Sequence, residues 1–104
     1  MMNIDRWSKF SLFEQMAHIG SEIERARICD DNNDPHMRRR AIERAFDLID
    51  VSLQDLRWRQ RSKELCRLRE VLADQYEKSH QYQVTLKELE EYCNQFALVI
   101  CKDR

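Results

Sequence analysis

Glycine and proline are almost absent from this chain: its 104 residues contain one of each. Turns, sheets and flexible linkers depend on both residues, so their scarcity favours long helices with few joints. The chain also lacks any apolar run near the length of about 18 residues that a membrane span needs. Its first residues, MMNIDRWSKF, contain no apolar segment of the kind found in signal peptides. We therefore expect a cytoplasmic protein with no membrane attachment.

Neither sign of charge dominates, because 18 basic and 19 acidic side chains leave a formal net charge of −1. The chain as a whole therefore has no general attraction to nucleic acids or membrane surfaces. Charged residues make up 36% of the sequence and hydrophobic residues 42%, a mixture typical of amphipathic helices and not of disorder. We predict a single helical domain over residues 1–104, with a modest core that an oligomer interface would supplement.

Signatures of metal, disulfide and catalytic sites are missing as well. No two cysteines form a C-x-x-C pair, the histidines are not at zinc-finger spacing, and no Glu-x-x-His occurs. No histidine stands beside a serine or cysteine in an arrangement that would make it a catalytic base. We predict no metal, no cofactor and no catalytic residue. Of the four cysteines, Cys29, Cys66, Cys93 and Cys101, the last three fall within predicted helices and are interpreted as reduced, small hydrophobic residues.

Capping signals place the helices along the chain. Ser11–Glu14 is a capping box before the first apolar stripe, and Thr85–Glu88 is a second box before the last stripe. Asp34 followed by Pro35 is typical of an N-cap and a first helical residue. Four helices are predicted, the first from near 11, the second at 36–51, the third from a connection at 51–58 to about 77, and the fourth from 85. Short joints between amphipathic helices predict an all-α, antiparallel four-helix bundle.

Three local features carry further expectations. The acidic and amide-rich run 29–35 is predicted to be a loop, since such side chains compete for backbone hydrogen bonds. Gly20, inside the first helix, costs about 1 kcal/mol relative to alanine, so we expect a close approach by another helix, within the bundle or across a dimer. The triplet 38–40 places three arginines at the positive end of the second helix. These are interpreted as solvated side chains or as a site for an anion or an acidic surface.

The densest positive charge lies at 57–69, where six basic residues accompany one acid. This window carries +5, so the remainder of the chain, whose net charge is −1, carries −6. Arg59, Lys63 and Arg67 are four residues apart and are predicted to form a basic ridge on one helix face, with Trp58 among them. Cations interleaved with an aromatic ring can bind a phosphate backbone and stack a base. Alternatively, Trp58 packs into the core and the arginines pair with acids.

Arg69 lies on the edge of the apolar stripe of the third helix. We expect its guanidinium to be partly buried and to be held by a carboxylate or by backbone carbonyls. The stripe itself recurs at spacings of three and four: Leu65, Leu68, Leu72 and Tyr76.

The segment Arg69–Tyr76 resembles the Arg-x4-His-x-Tyr signature of the HEPN superfamily. Arg69 and Tyr76 match the signature, whereas Asp74 stands where that family has its catalytic histidine. The resemblance implies a small all-α four-helix domain, often dimeric; many members are RNase toxins or partners of minimal nucleotidyltransferases. A carboxylate cannot replace imidazole as an acid near neutral pH, so the resemblance implies a non-catalytic member.

Two functional hypotheses follow. The leading one is a small cytosolic helical interaction module without catalysis, acting as a homodimer or as a partner-binding subunit. The alternative is a HEPN-like RNA-binding protein or ribonuclease of a toxin–antitoxin or nucleotidyltransferase-partner system. An open basic ridge would favour nucleic acid, and arginines paired with internal carboxylates would favour the interaction module. The candidate binding residues are Trp58, Arg59, Lys63, Arg67, Arg69 and Tyr76.

Overall fold

The computed structural model describes residues 3–78 and 81–102, so the predicted surface residue His80 lies outside the described ranges. Within those ranges the chain forms five α-helices and one 3-10 helix and no β-strand, which confirms the all-α prediction. The helices are α1 (Ile4–Trp7), α2 (Leu12–Asp31), α3 (Pro35–Ser52), α4 (Ser62–Glu77) and α5 (Leu86–Lys102), with the 3-10 helix at Leu56–Arg61. None of the described helices combines the length and apolar character that crossing a bilayer requires.

Three helices begin where the capping signals predicted. The Ser11 hydroxyl accepts a hydrogen bond from the Glu14 N–H at 3.1 Å, and the Glu14 carboxylate accepts from the Ser11 N–H at 3.0 Å. The box at Thr85–Glu88 contains the same reciprocal pair. Asp34 caps α3, and Pro35 is its first residue. These side chains satisfy N–H groups that have no partner within the helix.

The predicted loop at 29–35 is shorter in the structure, because α2 continues through its first three residues. The Asp34 N–H donates to the Cys29 carbonyl at 2.9 Å and closes a tight turn. The Asp30 carboxylate lies 3.3 Å from the Arg38 guanidinium of α3. The prediction of a loop from 29 was wrong because this interaction with a later helix compensates the weak helix preference of the acids.

The predicted third helix begins later than expected, because the segment Leu56–Arg61 forms a 3-10 helix and α4 starts at Ser62. Asp55 accepts a hydrogen bond from the Arg57 N–H at 3.0 Å, which starts the tighter turn. Trp58 lies in the core, where its indole N–H donates a hydrogen bond to the side-chain oxygen of Gln15 at 2.6 Å. A contact with a distant helix therefore determines the geometry of this segment.

One hydrophobic cluster draws residues from α2, α3, α4 and α5. Within the described residues, α2 packs closely against both α3 and α5, and α4 packs on α3. A Cβ atom placed on Gly20 would lie 3.3 Å from the Cβ of Cys93 on α5, closer than most such contacts. The expected close approach at Gly20 is confirmed, and it takes place within one chain. Gly20 therefore requires no partner from a second copy.

The short helix α1 was not predicted. Its last residue, Trp7, is 1% exposed, and its indole N–H donates to the Ser52 hydroxyl at 2.8 Å. The Trp7 ring also meets Phe10 edge-on, with centroids 5.5 Å apart. This aromatic pair covers the core beside the end of α3.

Candidate interaction surface

Trp58 belongs to the core and not to an exposed ridge. It is 1% exposed, and its ring meets Phe96 of α5 edge-on with centroids 6.0 Å apart. A ring this deeply buried offers no face on which a nucleic-acid base could stack. The geometry therefore agrees with the alternative in which Trp58 packs into the core.

The three cations of the predicted basic ridge are exposed, but they do not share one helix. Arg59 lies in the 3-10 helix, whereas Lys63 and Arg67 lie in α4. A 3-10 helix has about 3.0 residues per turn and an α-helix about 3.6, so four-residue spacing does not keep Arg59 in line. The Arg67 guanidinium lies 4.8 Å from the Tyr82 ring centroid and 3.9 Å from Glu70. Its side chain is 65% exposed, so its charge faces solvent.

Arg69 and Tyr76 fasten α4 to α3. Arg69 binds Asp50 through two hydrogen bonds of 2.7 and 3.0 Å, and its guanidinium lies 4.8 Å from the Phe46 ring centroid. The hydrogen bond to Asp50 raises the pKa of Arg69. The Tyr76 hydroxyl donates to Glu43 at 2.8 Å, which raises the pKa of Tyr76. The prediction of a partly buried Arg69 held by a carboxylate is confirmed, with 41% of the side chain exposed.

Asp74, the residue that departs from the signature in the suggested resemblance, is buried and organises the joint between α4 and α5. Its two carboxylate oxygens accept hydrogen bonds from the backbone N–H groups of Gln81 at 2.8 Å and Tyr82 at 3.3 Å. Arg69 instead faces α3 through Asp50. The two signature positions therefore contact different parts of the molecule.

The arginine triplet at 38–40 is not uniformly solvated. Arg38 is buried, and its guanidinium donates to the Gln75 backbone carbonyl at 3.1 Å and to the Gln75 side chain at 3.2 Å. The solvated interpretation is wrong for Arg38, because α4 supplies these acceptors. Arg39 and Arg40 are exposed, and the Arg39 guanidinium lies 5.6 Å from the Tyr76 ring centroid.

All four cysteines are free thiols. Cys93 is buried, and burial raises its pKa to about 12. Cys66 and Cys101 are exposed, so the small-hydrophobe interpretation fits Cys93 but is wrong for these two. The described ranges contain no group of three or more side chains placed to hold a metal ion.

One hollow on the described surface, about 740 Å³, is lined by residues of α1, α2 and α3 and of the connection between α1 and α2. Two of its lining arginines, Arg25 and Arg44, bind the carboxylate of Glu22, and the Arg44 contact measures 2.9 Å. Glu22 is 10% exposed at its side chain, so this carboxylate already neutralises much of the positive charge in the hollow. These pairs leave little charge with which to select a ligand.

A second surface, the α4–α5 seam, lies between α4 and α5, whose backbones stay apart over most of their described length. Two hollows of about 260 and 320 Å³ meet at Tyr92 and form this seam. The seam is lined by Arg61 of the 3-10 helix, by Glu64, Arg67, Leu68 and Val71 of α4, by Tyr82 and Val84 before α5, and by Glu88, Leu89, Tyr92, Gln95, Phe96 and Val99 of α5.

Apolar side chains lie open along α5 at the seam. Tyr92 is 39% exposed and Val99 is 49% exposed. The sequence analysis missed this surface. The available signal was the spacing of 88, 92, 95 and 99, which places these residues on one helix face.

Comparisons of the chain with protein-family models, with curated proteins and with solved structures found no match. Its function is therefore inferred from the chemistry of its own surface.

Proposed function

We propose that this protein is a non-catalytic helical interaction module that works as a homodimer. One observation carries the proposal: Tyr92 and Val99, seven residues apart and therefore on one face of α5, are exposed beside an open seam. Exposed apolar side chains rimmed by charges mark protein interaction sites. The modest core of a 104-residue chain gives a dimer interface a stabilising role.

We also infer that α2, α3, α4 and α5 form an antiparallel four-helix bundle in which the seam is the open side. The packing of α2 against both α3 and α5, and of α4 on α3, supports this arrangement. Short joints between consecutive helices favour antiparallel neighbours. In this arrangement α4 and α5 would contact each other only through their side chains.

Sedimentation at low micromolar concentration tests the homodimer. We expect twice the monomer mass of 12.7 kDa, with a shift toward monomer on dilution. A species that remains a monomer at high concentration refutes self-association. The interaction module would then have to act by binding a different protein.

A second candidate function is RNA binding, as in non-catalytic HEPN-like proteins. The exposed side chains of Arg59, Lys63 and Arg67 favour it, because three open cations can contact phosphates. Its support is weaker, since Trp58 is buried and Arg69 is paired with Asp50. Titration of a fluorescent single-stranded RNA at several salt concentrations tests it. Absence of binding at low salt would exclude this candidate.

A further inference from the structure

We propose that two copies of the chain pair face to face across the α4–α5 seam, around a two-fold axis that runs along it. In this dimer α4 of each copy lies over α5 of its partner. The inference rests on the proposed homodimer and specifies its interface. Two-fold dimers use the same patch on both subunits, so the patch must complement itself.

The seam combines an apolar floor with charged rims. Leu68 and Val71 of α4 and Leu89 of α5 line its deeper part, while Tyr92 and Val99 are more open. An apolar centre bounded by charged side chains is the usual anatomy of a protein interface. The open aromatic ring of Tyr92 lies where the two hollows meet, at the centre of the patch.

The two sides of the larger seam hollow, about 320 Å³, carry opposite charges. Of its charged lining residues, Arg67 lies on α4 and Glu88 lies on α5. A second copy therefore offers each side a partner of opposite charge, provided that it presents α5 to α4.

The charge pattern selects the direction of the symmetry axis. An axis across the seam would place α4 over α4 and α5 over α5, so Arg67 could not face the partner's Glu88. An axis along the seam places α4 over α5 and opposes these unlike charges. Complementary charges fix the register of an interface, so electrostatics favours the axis along the seam.

This axis keeps each residue at its own height along the seam. Arg67 and Glu88 line the same hollow, so they stand at similar heights. In the dimer Arg67 of each copy therefore faces the partner's Glu88, and this contact occurs twice. The two Tyr92 rings approach the axis from opposite sides and bury their exposed area.

A charge substitution in two backgrounds tests the pairing, with dimer dissociation measured by sedimentation at fixed ionic strength. Arg67→Glu places two carboxylates opposite each other at both contacts, and we expect the dimer to weaken about tenfold or more. Glu88→Gln keeps a side chain that can complete the capping box at the start of α5. Alone, it should weaken the dimer because it removes an attraction. In the Arg67→Glu background it should strengthen the dimer because it removes a repulsion.

This reversal of sign is the signature of a contact between Arg67 and the partner's Glu88. Arg40→Glu, an exposed charge reversal on α3, is the matched control and should leave dissociation unchanged. Val99→Glu should weaken the dimer by placing a charge against the apolar part of the seam. Circular dichroism melting of each variant at dilutions where the chain is monomeric checks that folding is retained.

The outcomes separate the two proposals. A wild-type chain that is monomeric at every concentration overturns both the homodimer and this interface. A wild-type dimer that neither Arg67→Glu nor Val99→Glu weakens overturns the interface alone. Self-association that disappears after ribonuclease treatment also overturns it, since nucleic acid would then bridge the copies.

Discussion

Gln15→Ala is expected to destabilise the fold strongly, because Gln15 is fully buried and joins three separate segments. Its amide nitrogen donates to the Trp7 carbonyl and to the Asp55 carboxylate, each at 3.1 Å. Its amide oxygen accepts the Trp58 indole N–H at 2.6 Å. Removing the side chain leaves that N–H without its acceptor in the core, whereas Asp55 keeps its bonds to Arg57.

The decrease in the free energy of unfolding has two sources, an unpaired buried donor and a cavity. A buried donor left unpaired costs about 1–3 kcal/mol. The space left by the missing side-chain atoms adds roughly 1 kcal/mol, since the surroundings relax only in part. We expect a total of about 2–4 kcal/mol, which for a domain of this size lowers the melting temperature by roughly 10–30 °C.

Urea unfolding followed by tryptophan fluorescence is the appropriate assay, since both tryptophans of the chain lie in this network. Gln15→Leu keeps most of the side-chain volume but loses the hydrogen bonds, so it should lower the free energy of unfolding by about 1–3 kcal/mol. Gln60→Ala changes an exposed glutamine in the 3-10 helix and should stay within about 0.5 kcal/mol of wild type. A Gln15→Ala protein as stable as the Gln60→Ala protein would refute the reasoning.

Three further predictions concern charge and thiol chemistry. Arg69→Ala should lower the free energy of unfolding by about 1–2 kcal/mol through loss of the ion pair and the aromatic contact, while Arg59→Ala stays within about 0.5 kcal/mol, as denaturant titration will show. The pKa of Asp55 in the folded protein is about 2, below its usual 3.8, chiefly because Arg57 donates hydrogen bonds to its carboxylate. Asp55 therefore stabilises the fold above about pH 4, and this contribution fades toward pH 2. Unfolding measured from pH 6 to pH 2 should therefore show the deficit of Asp55→Asn, roughly 2 kcal/mol at neutral pH, shrinking with acid; a constant deficit would contradict this. A thiol reagent should modify Cys66 in the native protein and Cys93 only after unfolding, and rapid labelling of Cys93 in the native protein would show that Cys93 is not buried. Reductant should leave the melting temperature unchanged, because the cysteines are free thiols.

Local signals were sufficient to predict where most helices begin. The boxes at Ser11–Glu14 and Thr85–Glu88 and the pair Asp34–Pro35 act within a few residues, and all three cap helices in the structure. Gly20 was also interpretable, because a glycine inside an apolar stripe indicates a close neighbour. The sequence did not identify that neighbour as α5.

Features that depend on distant contacts could not be predicted in the same way. The 3-10 segment is shaped by bonds from Gln15 to Asp55 and Trp58, which are 40 and 43 residues away. Arg38 is buried because Gln75, 37 residues later, provides its acceptors. Periodicity reports which face of a helix is apolar, but it contains no information on such partners.

The seam was missed for a related reason. The stripe of α5 was predicted, but whether its edge at Tyr92 is covered depends on where α4 lies. The pairs of Arg69 with Asp50 and of Tyr76 with Glu43 hold α4 against α3. The sequence of α5 contains no pattern that indicates this position of α4.

The attachment of α4 to α3 has a consequence for local unfolding. One flank of α4 borders the open seam, and two of its links to α3, through Arg69 and Tyr76, are partly solvent-exposed. Helices with few buried contacts open at a lower free energy than the whole domain and exchange their amide hydrogens sooner. In the monomer the amide hydrogens of α4 should therefore exchange before those of α2, which is covered by both α3 and α5. A partner bound across the seam would slow exchange in α4 more than in any other long helix.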